Sequence, residues 1–275
     1  MTRVWLGTAG WSYFPDWLGS FYPVGTTPSN ALARYVEAFR FVEIDSTFYA
    51  APSIATIERW AKLIPAGCRV SCKVPKSLVQ ETALAAPTVP FGHFTRTMME
   101  GLGDRMAAFV VQMPPGFVRT PTNESNLRAF LRAWSDRVPL AIELRHVSWH
   151  VAAVDVVLRA FDVTWVSNDL HDVPDLDRAA HDTSKKMAYL RLIGRHDGLS
   201  KDRIQRPQED GRTFWRHHVE MLAERGVRET FIVVNNHYEG HAPATLRTLA
   251  AELRTLDHVE VVESPGWPDG QVSLF

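Results

Sequence analysis

Residues 40–64 read RFVEIDSTFYAAPSIATIERWAKLI and contain one complete strand–helix unit. The first part, RFVEIDST, is a short β-rich run in which apolar and polar side chains alternate, as in a strand with one polar face. The last part, SIATIERWAKLI, carries apolar residues at the three- and four-residue spacing of a helix. The stretch therefore predicts a strand followed by a helix.

The same unit recurs along the chain. Seven further β-rich runs are RVWLGT, RVSCKVP, AAFVVQMPP, PLAIELRH, DVTWVSND, KMAYLRLIG and TFIVVNN, and helix-like stretches such as NLRAFLRAWSD lie between most of them. Alternating strands and helices imply a mainly parallel sheet, and eight units in 275 residues favour a closed TIM-type (β/α)8 barrel. An open doubly wound sheet is disfavoured because GTAG, after the first run, lacks the dinucleotide-binding glycine pattern. We predict one barrel domain over residues 1–263 and a short flexible tail over 264–275.

Composition limits the classes of function. The formal net charge is -1, so no overall positive field draws the protein to nucleic acid or an anionic membrane, and any such binding needs a local patch. No apolar run has the length of a signal peptide or of a membrane span, so we expect a cytoplasmic protein with no membrane partner. Two cysteines, Cys68 and Cys72, are too few for a disulfide framework and are interpreted as small apolar residues.

Charged and polar residues occupy strand positions that should face the barrel axis. Alternation along four runs assigns them inward: Glu43 and Asp45, Ser71 and Lys73, Glu143 and Arg145, Tyr189 and Arg191. A barrel interior is normally apolar, so the pattern has two interpretations. It is either an internal ion-pair network or a polar site at the C-terminal ends of the strands, where barrel enzymes act.

The three bases among these residues favour an anionic ligand, either a phosphate or a carboxylate. Arg145 and Arg191 offer bidentate guanidinium groups and Lys73 a point charge. Glu143 is the preferred general base, with Glu43 as the alternative, and Lys73 completes the catalytic candidates. A divalent metal on the carboxylates and His237 is disfavoured because the three cations would repel it, so no metal ligand is assigned and the cofactor is left open.

Two loops supply further candidates for ligand binding. Arg195 follows the seventh run, and Asn236 and His237 follow the eighth, where barrels often bind phosphate, although a solvated charged loop is the alternative interpretation. Several aromatic residues fill the first loop, WSYFPDWLGSFYP. Most of them should seal one end of the barrel, while Trp11 and Tyr13 are expected to contact the ligand.

Seven blocks of the chain resemble, in order, the signature blocks of the YecE-like family, domain of unknown function 72: GTAGWSYFPDWLGSFYP, FVEIDSTFYAAPS, SCKVPKSL, VVQMPPGF, IELRHVSWH, YLRLIGR and VVNNHYEGHAPATLRTL. The resemblance implies a barrel but brings no established reaction, substrate or cofactor. It adds three residues, Tyr49, Gln112 and Trp149, to the ligand-binding candidates. Asp45 departs from the asparagine expected in the family.

Residues 271–275, QVSLF, resemble the pentapeptide by which bacterial polymerases and repair proteins dock on the DNA sliding clamp. Leu274 and Phe275 would fill an apolar pocket, and Gln271 and Ser273 match the polar positions of the motif. The alternative is a terminus whose two apolar residues cover the barrel or a dimer contact.

The tail and the charged strand ends together favour a protein of DNA metabolism. In this hypothesis the sliding clamp tethers the barrel, which binds a phosphate-bearing ligand or DNA and hydrolyses a phosphodiester. Two alternatives stay open, namely a metabolic enzyme acting on a small sugar or sugar phosphate, and a non-catalytic nucleic-acid or clamp-binding module.

Overall fold

The structure is a computed structural model that describes residues 1–85, 89–134, 139–169 and 178–264. The strands in these ranges are β1 (Thr2–Ala9), β2 (Phe41–Ile44), β3 (Arg69–Lys73), β4 (Met106–Gln112), β5 (Leu140–Glu143), β6 (Thr164–Trp165), β7 (Ser167–Asp169), β8 (Arg178–Ala179), β9 (Met187–Leu192), β10 (Glu229–Val234) and β11 (Val259–Val262). The α-helices are α1 (Ala31–Ala38), α2 (Ile54–Leu63), α3 (Lys76–Val79), α4 (Val89–Leu102), α5 (Pro121–Ala133), α6 (Ala152–Ala160), α7 (Glu209–Glu224) and α8 (Ala242–Leu253).

One sheet contains all of these strands, in the order β6-β5-β4-β3-β2-β1-β10-β9-β7-β8, with β11 added beside β1. Every pair is parallel except β7 with β8. The sheet curls, because Tyr189 of β9 lies 2.6 Å from Ser71 of β3 (hydroxyl to hydroxyl) although four strand pairings separate the two strands. The predicted α/β fold with a curled, mainly parallel sheet is confirmed.

The two faces of the sheet carry different apolar cores. Outward residues such as Val42 and Ile44 join the larger core, which the helices cover. The concave face holds a smaller cluster in which Trp5 stacks on Phe231 at 6.0 Å between ring centroids. Strands buried on both faces have few polar positions, so the charged residues at the ends of these strands need partners of their own.

Capping residues mark where α2 and α5 begin. Ser53 accepts a hydrogen bond from the backbone N–H of Thr56 and caps α2, which buries Ile57 and Trp60. Pro121 begins α5 behind the capping side chain of Thr120.

The two cysteines and two aromatic residues of the first loop are buried in the fold. Cys68 and Cys72 are free and buried, as expected of small apolar residues. Trp17 and Tyr22 of the first loop are buried, so they pack as predicted. No helix in the described parts of the chain is long and apolar enough to cross a bilayer. The predicted clamp peptide, residues 271–275, lies outside the described residues.

Candidate active site

Six polar side chains meet where the parallel strands end, and we call them the charged layer: Glu43, Lys73, Gln112, Glu143, Asn168 and Arg191. Each comes from a different strand and lies at or near its carboxyl end. Parallel strands end at the same edge of a sheet, so the curl brings these positions together. All six residues are at most 9% exposed.

Arg191 lies at the centre of the charged layer. Its Nη1 donates to Glu143 Oε2 at 2.5 Å and to Gln112 Oε1 at 3.1 Å, and its Nη2 donates to Glu43 Oε1 at 2.9 Å. These contacts occupy both terminal nitrogens of the guanidinium group. Arg191 therefore joins two buried carboxylates, and its predicted contact with an anionic ligand stays a prediction.

Glu143 accepts hydrogen bonds from three side chains. Arg145 Nε and Asn168 Nδ2 donate to its Oε1 at 2.8 and 2.9 Å, in addition to the bond from Arg191. Burial by itself raises the pKa of Glu143, but the charges of Arg145 and Arg191 outweigh it and lower the pKa to about 2. So acidic a group is a poor proton acceptor, and the role of general base that the sequence analysis preferred for Glu143 stays a prediction.

Glu43 is just as enclosed. Its Oε2 accepts from the hydroxyl of Tyr189 at 2.9 Å, its Oε1 accepts from Arg191, and no part of the residue is exposed. The hydroxyl of Tyr189 is held in turn by Ser71. Glu43 and Glu143 thus set the position of Arg191, and their predicted catalytic roles stay predictions.

Lys73 is the cation of the charged layer that is not held by hydrogen bonds. Its ammonium lies 3.8 Å from Glu43 Oε1 and 5.6 Å from the ring centroid of Phe48, and no described residue accepts a hydrogen bond from it. Burial and the neighbouring charge of Arg191 lower the pKa of Lys73, against the opposing effect of Glu43. Lys73 thus differs from Arg191 in having no hydrogen bond within the layer, and its predicted catalytic role stays a prediction.

A cavity of about 270 Å³ lies beside the charged layer, at the ends of β1 and β2. It is lined by Ala9, Gly10, Trp11, Ser12, Tyr13, Asp45 and Ser46. Trp11 and Tyr13 are half-buried there, where the sequence analysis expected ligand contacts. Asp45 is the half-buried carboxylate of the cavity, and burial raises its pKa while the charge of Lys73 opposes the rise.

Arg145 and Tyr49 remain accessible at the rim. The side chain of Arg145 is 24% exposed while its Nε donates to Glu143. Tyr49 is 75% exposed and contacts Phe48, the ring beneath Lys73. Both side chains therefore reach solvent next to the charged layer.

Two residues that were predicted to contact the ligand, Trp149 and Asn236, make structural contacts. Trp149 is fully buried, stacks on Phe117 at 5.2 Å and donates its indole N–H to the carbonyl of Phe117. The side-chain oxygen of Asn236 accepts from the indole of Trp17 and from the backbone N–H of Ala242, the first residue of α8. Neither side chain reaches solvent, so these contacts serve packing and helix capping, and the predicted ligand contacts of the two residues stay predictions.

The loops after β9 and β10 carry the last two ligand candidates. Arg195 is exposed, and His237 is half-buried with its ring 4.1 Å from that of His196. Burial and the adjacent His196 lower the pKa of His237. Lys201 of the same loop lies 5.4 Å from the ring of Tyr13, so this loop reaches the rim of the cavity.

The acidic residues that were considered as metal ligands accept hydrogen bonds from different partners. Asp169 accepts from the backbone N–H groups of Ile193 and Gly194 and so anchors the loop after β9. Within the residues that the structure describes, no three His, Cys, Asp or Glu side chains come together to hold a metal ion. Asn168, which fixes Glu143, was missed as a site residue, although alternation along DVTWVSND would also turn it inward.

A second cavity, of about 290 Å³, lies at the opposite ends of the strands and includes Arg3, Leu140, Met187 and Glu229 in its lining. Its ion pair of Arg3 and Glu229 is partly exposed. The residues of the charged layer are not among those that line this cavity.

The chain was compared with known proteins. The profile of the family described as "Protein of unknown function DUF72" matches residues 5–270. A curated relative, UPF0759 protein YunF of Bacillus subtilis (strain 168), is 24% identical over 99% of this chain and 100% of its own. The crystal structure of a DUF72 family protein from Thermotoga maritima MSB8 is 28% identical, covers 92% of this chain and 99% of its own, and has a TM-score of 0.77. A DUF72 family protein from Enterococcus faecalis V583, 18% identical over 95% of this chain and 98% of its own, has the same fold with a TM-score of 0.73. The resemblance found in the sequence is confirmed, and the chain belongs to the DUF72, or YecE-like, family.

Proposed function

We propose that the protein binds a small phosphate-bearing molecule above the charged layer and acts on it as an enzyme. This is the small sugar or sugar phosphate hypothesis of the sequence analysis, and the charge balance of the buried layer supports it. Lys73 and Arg145 supply the positive charge for the ligand, while Arg191, Glu43 and Glu143 hold the surrounding geometry.

The charge balance is the observation that carries the proposal. The layer and its rim contain three cations and two buried carboxylates: Lys73, Arg145, Arg191, Glu43 and Glu143. Their formal charges leave one positive charge over. Asp45 lies at the adjacent cavity, and burial raises the pKa of this third carboxyl group while the charge of Lys73 lowers it. Arg145 keeps part of its side chain exposed and Lys73 has no hydrogen bond, so an anionic ligand would pair with these two cations, since buried charges are stable when paired.

Size favours a small ligand over a nucleic-acid duplex. The cavity beside the layer has about 270 Å³, close to the lower end of the roughly 300–1,000 Å³ found for small-molecule sites. Trp11 and Tyr13 offer it apolar walls, and Asp45 supplies a carboxyl group that exchanges a proton. These are the components of a site for acid–base chemistry on a short polar substrate.

We also propose that the curled sheet closes into an eight-stranded barrel. β6 and β7 lie at opposite ends of the pairing order, β6 beside β5 and β7 beside β9. In the chain only Val166 separates them, and its N–H donates to the carbonyl of Ile142 in β5. The two segments would then form one barrel strand, interrupted at Val166.

Glycerol 3-phosphate is a suitable first probe because it carries a phosphate and no carbonyl group. We expect saturable binding in equilibrium dialysis, competition by inorganic phosphate, and no binding of glycerol. Arg145→Met should weaken binding about tenfold or more, the usual result of losing one charge-assisted hydrogen bond. Lys76→Met, which changes an exposed lysine close to the layer, is the matched control and should bind normally. Equal loss in both variants, or binding of glycerol as tight as that of its phosphate, would reject the proposal.

The hypothesis of DNA metabolism rests on a separate observation, the QVSLF sequence of residues 271–275. We propose it as the second candidate, with the clamp as the partner that brings the protein to DNA. The test is binding of purified sliding clamp to the full chain, to a version ending at Asp269, and to a full-length variant with Leu274→Ser and Phe275→Ser. Binding by the full chain alone supports the tether, and equal binding by all three rejects it.

A further inference from the structure

We infer that the ligand of the charged layer carries an aldehyde or ketone and that Lys73 attacks its carbonyl carbon to form an imine. The inference rests on the proposed function, because it names the class of molecule that the same site takes: a short phosphate-bearing carbonyl compound. It assigns covalent chemistry to one amine among the lysines of the chain.

The surroundings of Lys73 are those of a nucleophilic amine. A lysine becomes a nucleophile when desolvation and a second cation favour its uncharged form. Lys73 is 9% exposed, and Arg191, the neighbouring cation, is fixed between two carboxylates. The ionisable groups that act on the amine are Glu43, Asp45, Glu143 and Arg191, and the net effect lowers the pKa of Lys73, with burial as the largest cause.

The contacts of Lys73 leave its nitrogen available for a bond to carbon. A structural lysine of this burial would donate two or three short hydrogen bonds, as Arg191 does from the same layer. The shortest contact from Lys73 to a carboxylate oxygen is instead 3.8 Å, to Glu43. The ring centroid of Phe48 lies 5.6 Å from the ammonium, and the side chain of Lys73 is 11% exposed, so part of it reaches solvent.

Asp45 is placed to exchange the protons that imine formation requires. The Lys73 ammonium first gives up a proton to Asp45. The lone pair of the amine then attacks the carbonyl carbon, the C=O electrons move to oxygen, and a proton lost by nitrogen reaches that oxygen to give a carbinolamine. Protonation of the hydroxyl then expels water as the C=N bond forms, so amine and carbonyl give imine and water with no change in oxidation state. Burial raises the pKa of Asp45 and lowers that of Lys73, so a proton passes between the two more readily than between free groups.

Position in the sheet fits a ligand with two functional groups. Lys73 ends β3 and Arg145 follows β5, with β4 between them. Two strand spacings amount to about 10 Å between backbones. The long side chains of Lys73 and Arg145 can close this distance around a molecule that carries a carbonyl at one end and a phosphate at the other.

The test uses glyceraldehyde 3-phosphate and sodium cyanoborohydride, which reduces an imine to a stable secondary amine. The purified full-length protein is treated with both, and peptide mass spectrometry locates the adducts. We expect Lys73 to be labelled at least about tenfold more than the exposed Lys76, because only the desolvated amine is activated. Inorganic phosphate should protect Lys73 and leave Lys76 unchanged. Lys73→Met should remove the major adduct, and Asp45→Asn should slow its formation.

The outcomes separate the imine from the proposed function. If glycerol 3-phosphate binds saturably but Lys73 is labelled no more than Lys76, the imine is rejected and the phosphate site stands. If neutral glyceraldehyde labels Lys73 as fast as its phosphate does, and inorganic phosphate gives no protection, the amine is nucleophilic but the phosphate site is wrong. Preferential labelling of Lys73 with protection by phosphate supports both.

Discussion

Arg191 contributes to stability because it neutralises two glutamates that no water reaches. Removing one partner of a buried ion pair typically costs about 3–5 kcal/mol, since the remaining charge stays buried. We expect Arg191→Met to lower the free energy of unfolding by about this amount, measured by urea denaturation. Arg34→Met, which breaks the exposed pair with Glu37, should change it by less than about 1 kcal/mol. Equal effects of the two substitutions would show that the layer is not a stabilising ion-pair network.

Glu143 makes the stability of the fold depend on acid pH. Its folded pKa, about 2, lies below the ordinary value of 4.5, because Arg145 and Arg191 outweigh the effect of burial. A lowered pKa contributes stability that is complete above about pH 4.5 and is lost as the pH falls towards 2. In Glu143→Gln this contribution is absent, so its stability should fall less steeply than that of the native chain within that pH range. Parallel stability curves for the two proteins would contradict this assignment.

Alternation along the strands predicts which residues of the site face inward, but it does not predict which of them stay free. The inward positions of Glu43, Lys73 and Arg191 follow from a period of two. That Arg191 bonds to both glutamates, leaving Lys73 without a hydrogen bond, depends on distances across the curled sheet that no local pattern encodes. Trp149 shows the same limit, since a motif residue can be required for packing alone.

Gly194, in the loop after β9, lies in close contact with the backbone that follows β10. Its φ of +72° is in the left-handed region, and a Cβ at this position would lie 2.2 Å from the backbone oxygen of His237. Gly198, in the same loop, has a φ of +81° with nothing within 4 Å, so it is the matched control for backbone strain. Gly198→Ala should cost about 1–2 kcal/mol for the strain alone. Gly194→Ala should cost clearly more in urea denaturation, because the loop must also move away from His237, and equal losses would argue against this contact.

The eight β-rich runs were predicted because strand and helix periodicities differ, and each of them contains a strand. The two segments β8 and β11 were not predicted. β8 is two residues long and pairs antiparallel with β7, and β11 pairs only with β1, so neither belongs to a strand–helix repeat. The break at Val166 within the sixth run is also a property of pairing on both sides and not of local composition.

At the scale of the whole molecule, barrel closure determines whether residues 164–169 form a sheet edge or an interior strand. β6 bonds to β5 on one side and β7 to β9 on the other, whereas β11 pairs only with β1. Native-state hydrogen exchange distinguishes the two cases, because amides inside a closed sheet exchange only through large openings. We expect the hydrogen-bonded amides of Trp165 and Val166 to be protected as strongly as those of β1, and those of β11 to exchange faster. If residues 164–169 exchange as fast as β11, the sheet opens at this position and the charged layer lies in an open groove, where it would accommodate a longer ligand.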